Sequence, residues 1–166
     1  MERQKGQKGF TLIELLVVIA IIAVLAGALL IAINPQAMVQ KSRDSKRLQD
    51  FDTLVKAINL SLADGEITLL DTSTACATGC DQTSGFGVAG NDGYVMFTLV
   101  GTQGLAKFIS TLPRDPLSTQ TYVYGSDGIN FEVNAVLEHA DNAAKMTDDG
   151  GNAPAIYEIG SSLSIL

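Results

Sequence analysis

At 166 residues the chain has room for one ordinary globular domain plus an appended segment, and not for two comfortable domains. Its composition is 46% hydrophobic without tryptophan, and much of the Leu, Ile, Val and Ala lies before Asn34, so the average overstates how apolar the rest is. The net charge of −7 argues against nucleic acid held by broad phosphate neutralisation, and no direct nucleic-acid site is expected.

The first predicted element is the apolar run from Phe10 to Ile33. As a helix its roughly 24 residues would extend about 36 Å, enough to cross a hydrocarbon core of about 30 Å. Arg3, Lys5 and Lys8 precede it against Glu2 alone, and the body beyond Lys56 has only Lys107, Arg114 and Lys145 as cations. This bias places the short N-terminus in the cytoplasm and exports the remainder. A cleaved secretory signal would use Ala26-Gly27-Ala28, but its apolar region should be shorter and uncharged, whereas this run carries Glu14 and continues through LLIAI. No cysteine lies near enough for a lipid anchor.

Glu14 needs an account, because a carboxylate at the centre of a bilayer helix costs about 2.5–3.5 kcal/mol, and less near an interface. Were the chain cut after Gly9, the new ammonium of Phe10 would lie one helical turn from Glu14, on the same face. The partner would be that terminus or a neighbouring copy's. An acid in the first turn also suits the positive end of the helix dipole.

Asn34-Pro35 interrupts the helical pattern, since proline lacks a donor and clashes with the preceding turn. Beyond it, Leu48, Phe51, Val55, Ile58 and Leu62 form an apolar stripe at steps of three and four, ended by Gly65. Lys41, Arg43, Asp44, Lys46, Arg47, Asp50 and Asp52 are expected on the polar side, either solvated or pairing laterally between subunits.

After Gly65 short strands and turns take over. Glu66 to Leu70 reads as an edge strand, 72–91 as an exposed loop, and Tyr94 to Val100 as a strand rich in aromatic and β-branched residues. Leu105, Phe108, Ile109 and Leu112 predict a short helix ended by Pro113. TYVYG and NFEVNAVLE predict two strands around the turn Ser126-Asp127-Gly128, and Tyr157 to Ile159 a last one. In an oxidising compartment Cys76 and Cys80 would close a short disulfide loop worth about 2 kcal/mol; otherwise they are free thiols in a surface loop. Two thiols and the distant His139 do not complete a zinc site. His139 lacks a nucleophile or oxyanion site beside it, and the glycines form no phosphate-binding motif, so no catalytic residue and no enzyme activity is expected.

The stretch GFTLIELLVVIAIIAVLA resembles the N-terminal processing signal of type IV pilins and type II secretion pseudopilins. The resemblance implies cleavage after Gly9 by a prepilin peptidase, N-methylation of Phe10, and pairing of Glu14 with a neighbouring subunit's terminus during assembly. LPRDP at Leu112 to Pro116, with Tyr122-Val123-Tyr124 and Phe131-Glu132-Val133, is similar to the heads of major pseudopilins and related small pilins; Leu117-Ser118 stands where pseudopilins usually have Trp-Gly. MTDDGGNAPAIYEIGSSL resembles the tail of some pilin-like proteins. The family implies an α+β, pilin-like lollipop: a leader at 1–9, a transmembrane and filament-core helix at 10–33, an amphipathic helical half at 34–64, and a globular β-rich head at 65–166 carrying a small antiparallel sheet.

The implied function is that of a structural subunit of a type IV pilus-like filament, in the cytoplasmic membrane before assembly and in a cell-surface pilus after it. Implied partners are copies of the chain, the prepilin peptidase, an assembly ATPase and a membrane platform. The alternatives are a major pseudopilin of a type II secretion system and a monomeric, membrane-anchored binding or adhesive domain. Major pseudopilins bind calcium in a C-terminal loop, which makes Asp148, Asp149 and Asn152 calcium candidates here, although no regular acidic ligand ladder is present. No other cofactor is expected.

Overall fold

The computed structural model describes residues 9–75, 80–81, 87–90 and 92–166. The chain forms two compact units, Met1–Met38 and Val39–Leu166.

The first unit is dominated by α1, Leu12–Ile33. Within it, Leu12–Leu30 is a 19-residue stretch long and apolar enough to span a membrane, with none of it buried inside the chain. The helix stops at Asn34, whose φ of 44° is left-handed and so closes the last turn. Asparagine tolerates that conformation better than most residues. Its carbonyl and side chain then receive the Ala37 N–H, starting α2 (Pro35–Ala63) with proline in the first turn, where no N–H is needed. The expected interruption is therefore a clean break between two helices.

In the second unit α2 is followed by β1 (Ile67–Leu69), α3 (Thr72–Ala75), β2 (Cys80–Asp81), β3 (Phe97–Leu99), a 3-10 turn at Gly104–Lys107, β4 (Val123–Ser126), β5 (Phe131–Ala135), a 3-10 turn at Ala140–Asn142, α4 (Ala143–Thr147) and β6 (Tyr157–Gly160). β1 pairs antiparallel with β3. β2, β4, β5 and β6 form an antiparallel sheet in that spatial order. Phe131, Val133 and Ala135 alternate along β5 toward Phe51, Leu54 and Ile58 of α2, and Phe51 meets the Tyr122 ring edge-on at 4.9 Å. The fold is α+β, as expected.

Several boundaries differ from the sequence reading. The 72–91 stretch is not simply an exposed loop. Thr72 is buried because its hydroxyl donates to the Ser126 carbonyl and accepts the Ser126 N–H, and Cys80 is buried because β2 pairs with Tyr124 and Val123. The aromatic run at Tyr94 is strand only from Phe97, since the Tyr94 hydroxyl donates to the Pro113 carbonyl and the side chain is wholly buried. The helix expected to reach Leu112 is one 3-10 turn closed by the Phe108 and Ile109 N–H groups on the Leu105 carbonyl. Pro113 forces extended backbone ahead of it.

Gly104 starts that turn at φ 58°, and a Cβ there would lie 3.0 Å from the Phe97 ring and 3.1 Å from the Val88 carbonyl. Gly104→Ala is expected to destabilise the chain by about 1–3 kcal/mol, combining left-handed strain with a close approach. Urea unfolding of the detergent-solubilised chain, followed by circular dichroism, measures it. The turn between β4 and β5 is as expected: Gly128 has φ 86°, and the Asp127 carboxylate accepts the N–H groups of Ile129 and Asn130.

The largest departure concerns α2. Its inward stripe is not purely apolar: Asp44, Arg47, Asp50, Phe51, Leu54, Ala57, Ile58 and Ser61 are buried, whereas Leu48, Val55 and Leu62 are half-exposed flanks. Asp44, Arg47 and Asp50 are thus neither solvated nor available to another subunit. Their partners lie within the chain.

Candidate functional site

The N-terminal segment is where sequence and geometry meet first. Gly9, Phe10 and Glu14 are exposed, Phe10 by 86%. Glu14 is not without a partner in the uncut chain. Its Oε2 accepts the Thr11 N–H and the Thr11 hydroxyl, both at 2.8 Å, while its own N–H reaches Thr11 Oγ1 at 3.3 Å. This is a reciprocal capping box, which satisfies donors at the helix start that otherwise have no acceptor. The signature Thr-x-x-Glu at Thr11 to Glu14 is the sequence mark of this arrangement. Phe10, Ile13, Val17 and Val18 line an open apolar groove with Glu14, one side of the helix at steps of three and four. An acid and an apolar stripe are therefore presented together, with none of the described residues covering them.

In the second unit a buried charge network fastens α2 to the head. Arg47 is fully buried, and its guanidinium grips Asp115 with two parallel bonds, Nε to Oδ2 at 2.7 Å and Nη2 to Oδ1 at 2.8 Å. Nη1 meets Asp44 Oδ1 at 2.8 Å and Glu138 Oε1 at 2.6 Å. Asp44 also accepts the N–H groups of Glu138 and His139 and the Asn142 side-chain amide, at 2.8–2.9 Å. Arg43 holds Glu138 through Nε and Nη2. Asp50 accepts the Tyr122 hydroxyl at 3.0 Å and pairs with Lys46 at 2.5 Å. Asp115 and Tyr122, singled out by the head resemblance, are thus the residues that receive α2.

The electrostatics follow from these donors. Burial alone would raise the Asp44 carboxyl, but the N–H groups of Glu138 and His139, with Asn142 and Arg47, outweigh it and hold it below the ordinary range. The Arg43 hydrogen bond, against burial and with Arg47, does the same for Glu138. Burial opposes the Arg47 charge, yet its carboxylate partners raise its pKa.

The remaining candidates separate. Cys80 is disulfide-bonded; Cys76 lies outside the described residues. The Asp149 carboxylate accepts the N–H groups of Gly151 at 3.0 Å and Glu158 at 2.9 Å, the Asn152 amide donates to the Leu166 carbonyl at 3.3 Å, and Asp148 is bonded to the Thr147 hydroxyl. The oxygens of Asp149 are thus engaged by backbone rather than turned toward a shared centre, and among the described residues no group of three or more acid, His or Cys side chains could hold a metal ion. His139 accepts the Asp141 N–H on Nδ1 and caps the turn that follows, an ordinary structural role.

Residues 4–30 match a family model described as the prokaryotic N-terminal methylation motif, the signal carried by type IV pilin and pseudopilin precursors. The match takes in the leader from residue 4, with Gly9, Phe10, Glu14 and most of α1, and it indicates a structural subunit. No curated protein and no solved structure matches the chain.

Proposed function

Starting from a precursor of the type IV pilin or pseudopilin type, we propose that the chain is the repeating structural subunit of a type IV pilus-like extracellular filament. A prepilin peptidase cleaves after Gly9, Phe10 is N-methylated, and subunits assemble through α1 with an ATPase and membrane platform supplying the work. The observation that carries this reading is α1 itself: a membrane-length apolar helix with no residue of Leu12–Leu30 covered by its own chain. Such a surface needs a bilayer before assembly and the same helix of other copies after it. Contacts that repeat head to tail without closing produce an open filament.

The matching observation in the second unit is a head locked to α2 by buried charge. A pseudopilin of a secretion system shares this chemistry, and the LPRDP and Tyr122-Val123-Tyr124 segments support it as the second reading. Leu117 and the tail of the chain favour the pilus.

Mass spectrometry of the chain recovered from its native envelope tests the class. The expected product lacks residues 1–9 and begins with N-methyl-Phe10; a chain retaining Met1, or one cut at Ala28, overturns the reading. Electron microscopy of intact cells then separates surface pili from a short periplasmic assembly.

A further inference from the structure

On the face of the four-stranded sheet opposite α2, two buried acids stand together. Glu132 of β5 pairs across the sheet with Gly160, and Asn134 with Glu158 of β6, so the two glutamates are diagonal neighbours on one face. Glu132 is fully buried and Glu158 is 2% exposed. The segment 161–166 crosses this face. Ile165 and Leu166 pack over Gly125, where a Cβ would come within 2.7 Å of the Leu166 side chain.

One oxygen of each acid is satisfied. Glu132 Oε2 accepts the N–H groups of Ile165 at 2.8 Å and Leu166 at 3.3 Å, and Glu158 Oε2 accepts that of Ala153 at 2.9 Å. The other oxygens, Glu132 Oε1 and Glu158 Oε1, are buried without a hydrogen-bond partner. Two buried carboxylates left this way require a cation or a proton.

The neighbouring groups decide which. Asp149 faces the same region but spends its oxygens on the N–H groups of Gly151 and Glu158. Lys145 of α4, the cation lining the adjoining groove with Asp148, donates to Asn142 Oδ1 at 3.2 Å. Calcium wants about six to eight oxygens and magnesium about six, whereas among the described residues this face leaves three without a partner, the two carboxylate oxygens and Asn134 Oδ1. Two orphaned carboxylate oxygens on neighbouring strands are what one shared proton satisfies.

We propose that Glu132 and Glu158 share a proton, and that this pair is a pH-sensitive latch holding segment 161–166 against the sheet. In the closed form the Glu158 carboxyl donates to Glu132 Oε1, while Glu132 Oε2 keeps the Ile165 and Leu166 N–H groups. Burial, opposed next by the Ala153 N–H and then assisted by the Glu132 hydrogen bond and the Glu132 and Asp149 charges, holds the Glu158 carboxyl above its ordinary range. Loss of the proton leaves two like charges in contact without water. Lifting the segment that covers Glu132 relieves them. The latch is closed at lower pH and opens as pH rises through the raised value, the opposite sense to the Asp44 and Glu138 network. It does not depend on the assembly proposed above.

The test uses the full chain in detergent micelles, with carboxyl-labelled glutamate and ¹⁵N backbone signals followed by NMR from pH 4 to 10. A titration of the Glu158 carboxyl above its ordinary range is expected, coinciding with a change at the Ile165 and Leu166 amides. The opening equilibrium should grow by up to about tenfold per pH unit in that range. In Glu158→Gln the amide supplies the donor permanently, and the Ile165 and Leu166 signals should hold the closed position throughout. Wild-type amides that ignore the carboxyl titration overturn the latch, as does a Glu158→Gln chain that opens like wild type. Addition of calcium at high pH that closes the segment, reversed by chelator, would replace the proton with a metal ion.

Discussion

Arg47→Ala is expected to destabilise the head by about 3–5 kcal/mol, because it removes one partner of a buried ion network and leaves the others without compensation. Asp115 would lose both bonds of its bidentate partner, Asp44 its bond to Nη1, and Glu138 its contact with the same nitrogen while keeping Arg43. Arg47→Lys should fall between, since a point charge on a flexible stem cannot reproduce a fork that reaches three carboxylates at once. Urea unfolding in detergent, followed by circular dichroism, provides the measurement, and a double-mutant cycle with Asp115→Asn isolates the pair. The same network sets an acid limit. Asp44 and Glu138 titrate lower in the folded chain than in the unfolded one, so their contribution is complete above about pH 5 and is lost as pH falls through their native values. A loss of less than about 1 kcal/mol in Arg47→Ala would mean that water, not Arg47, satisfies these acids.

This network also shows what the sequence could not reveal. Phe51 and Ile58 face inward as their helical spacing requires, and the apolar run ending at Ile33 is the helix it promised. The strands β4, β5 and β6 were legible because alternation and the Asp127-Gly128 turn are local signals. Asp44, Arg47 and Asp50 share a helical phase with Phe51, Leu54 and Ile58, yet hydropathy sends charges to water. What keeps them inside is Asp115, 68 positions from Arg47, and Glu138, 94 positions from Asp44. No local pattern encodes partners that distant. Glu132 and Glu158 were hidden likewise, since each lies at a position that alternation along its strand assigns to the face opposite the core. There the 161–166 segment covers Glu132 and the Gly151–Ala153 loop meets Glu158, and nothing in the strands themselves announces that cover.

Glu14 presents the opposite case, a residue plain in the sequence whose role must be divided in two. In the uncut chain its carboxylate is spent on Thr11, a capping arrangement worth about 1 kcal/mol to the helix start. Cleavage after Gly9 would place an ammonium on Phe10, one turn away along the groove lined by Phe10, Ile13, Val17 and Val18. Glu14→Ala should abolish both roles, and Glu14→Gln should keep the cap while removing the charge. Both variants are expected to be cleaved and methylated, because the leader, Gly9 and Phe10 are unchanged. Neither is expected to assemble, since a charge left unanswered among packed apolar helices costs about 2.5–3.5 kcal/mol, or roughly two orders of magnitude in incorporation per subunit. Thr11→Val loses the hydroxyl and should still form filaments. Sheared filament yield, set beside mass spectrometry of the membrane-bound pool, separates assembly from processing. If Glu14→Gln builds filaments at the wild-type level, the cap alone is what assembly requires of this residue, and the ammonium needs no acid to enter the filament core.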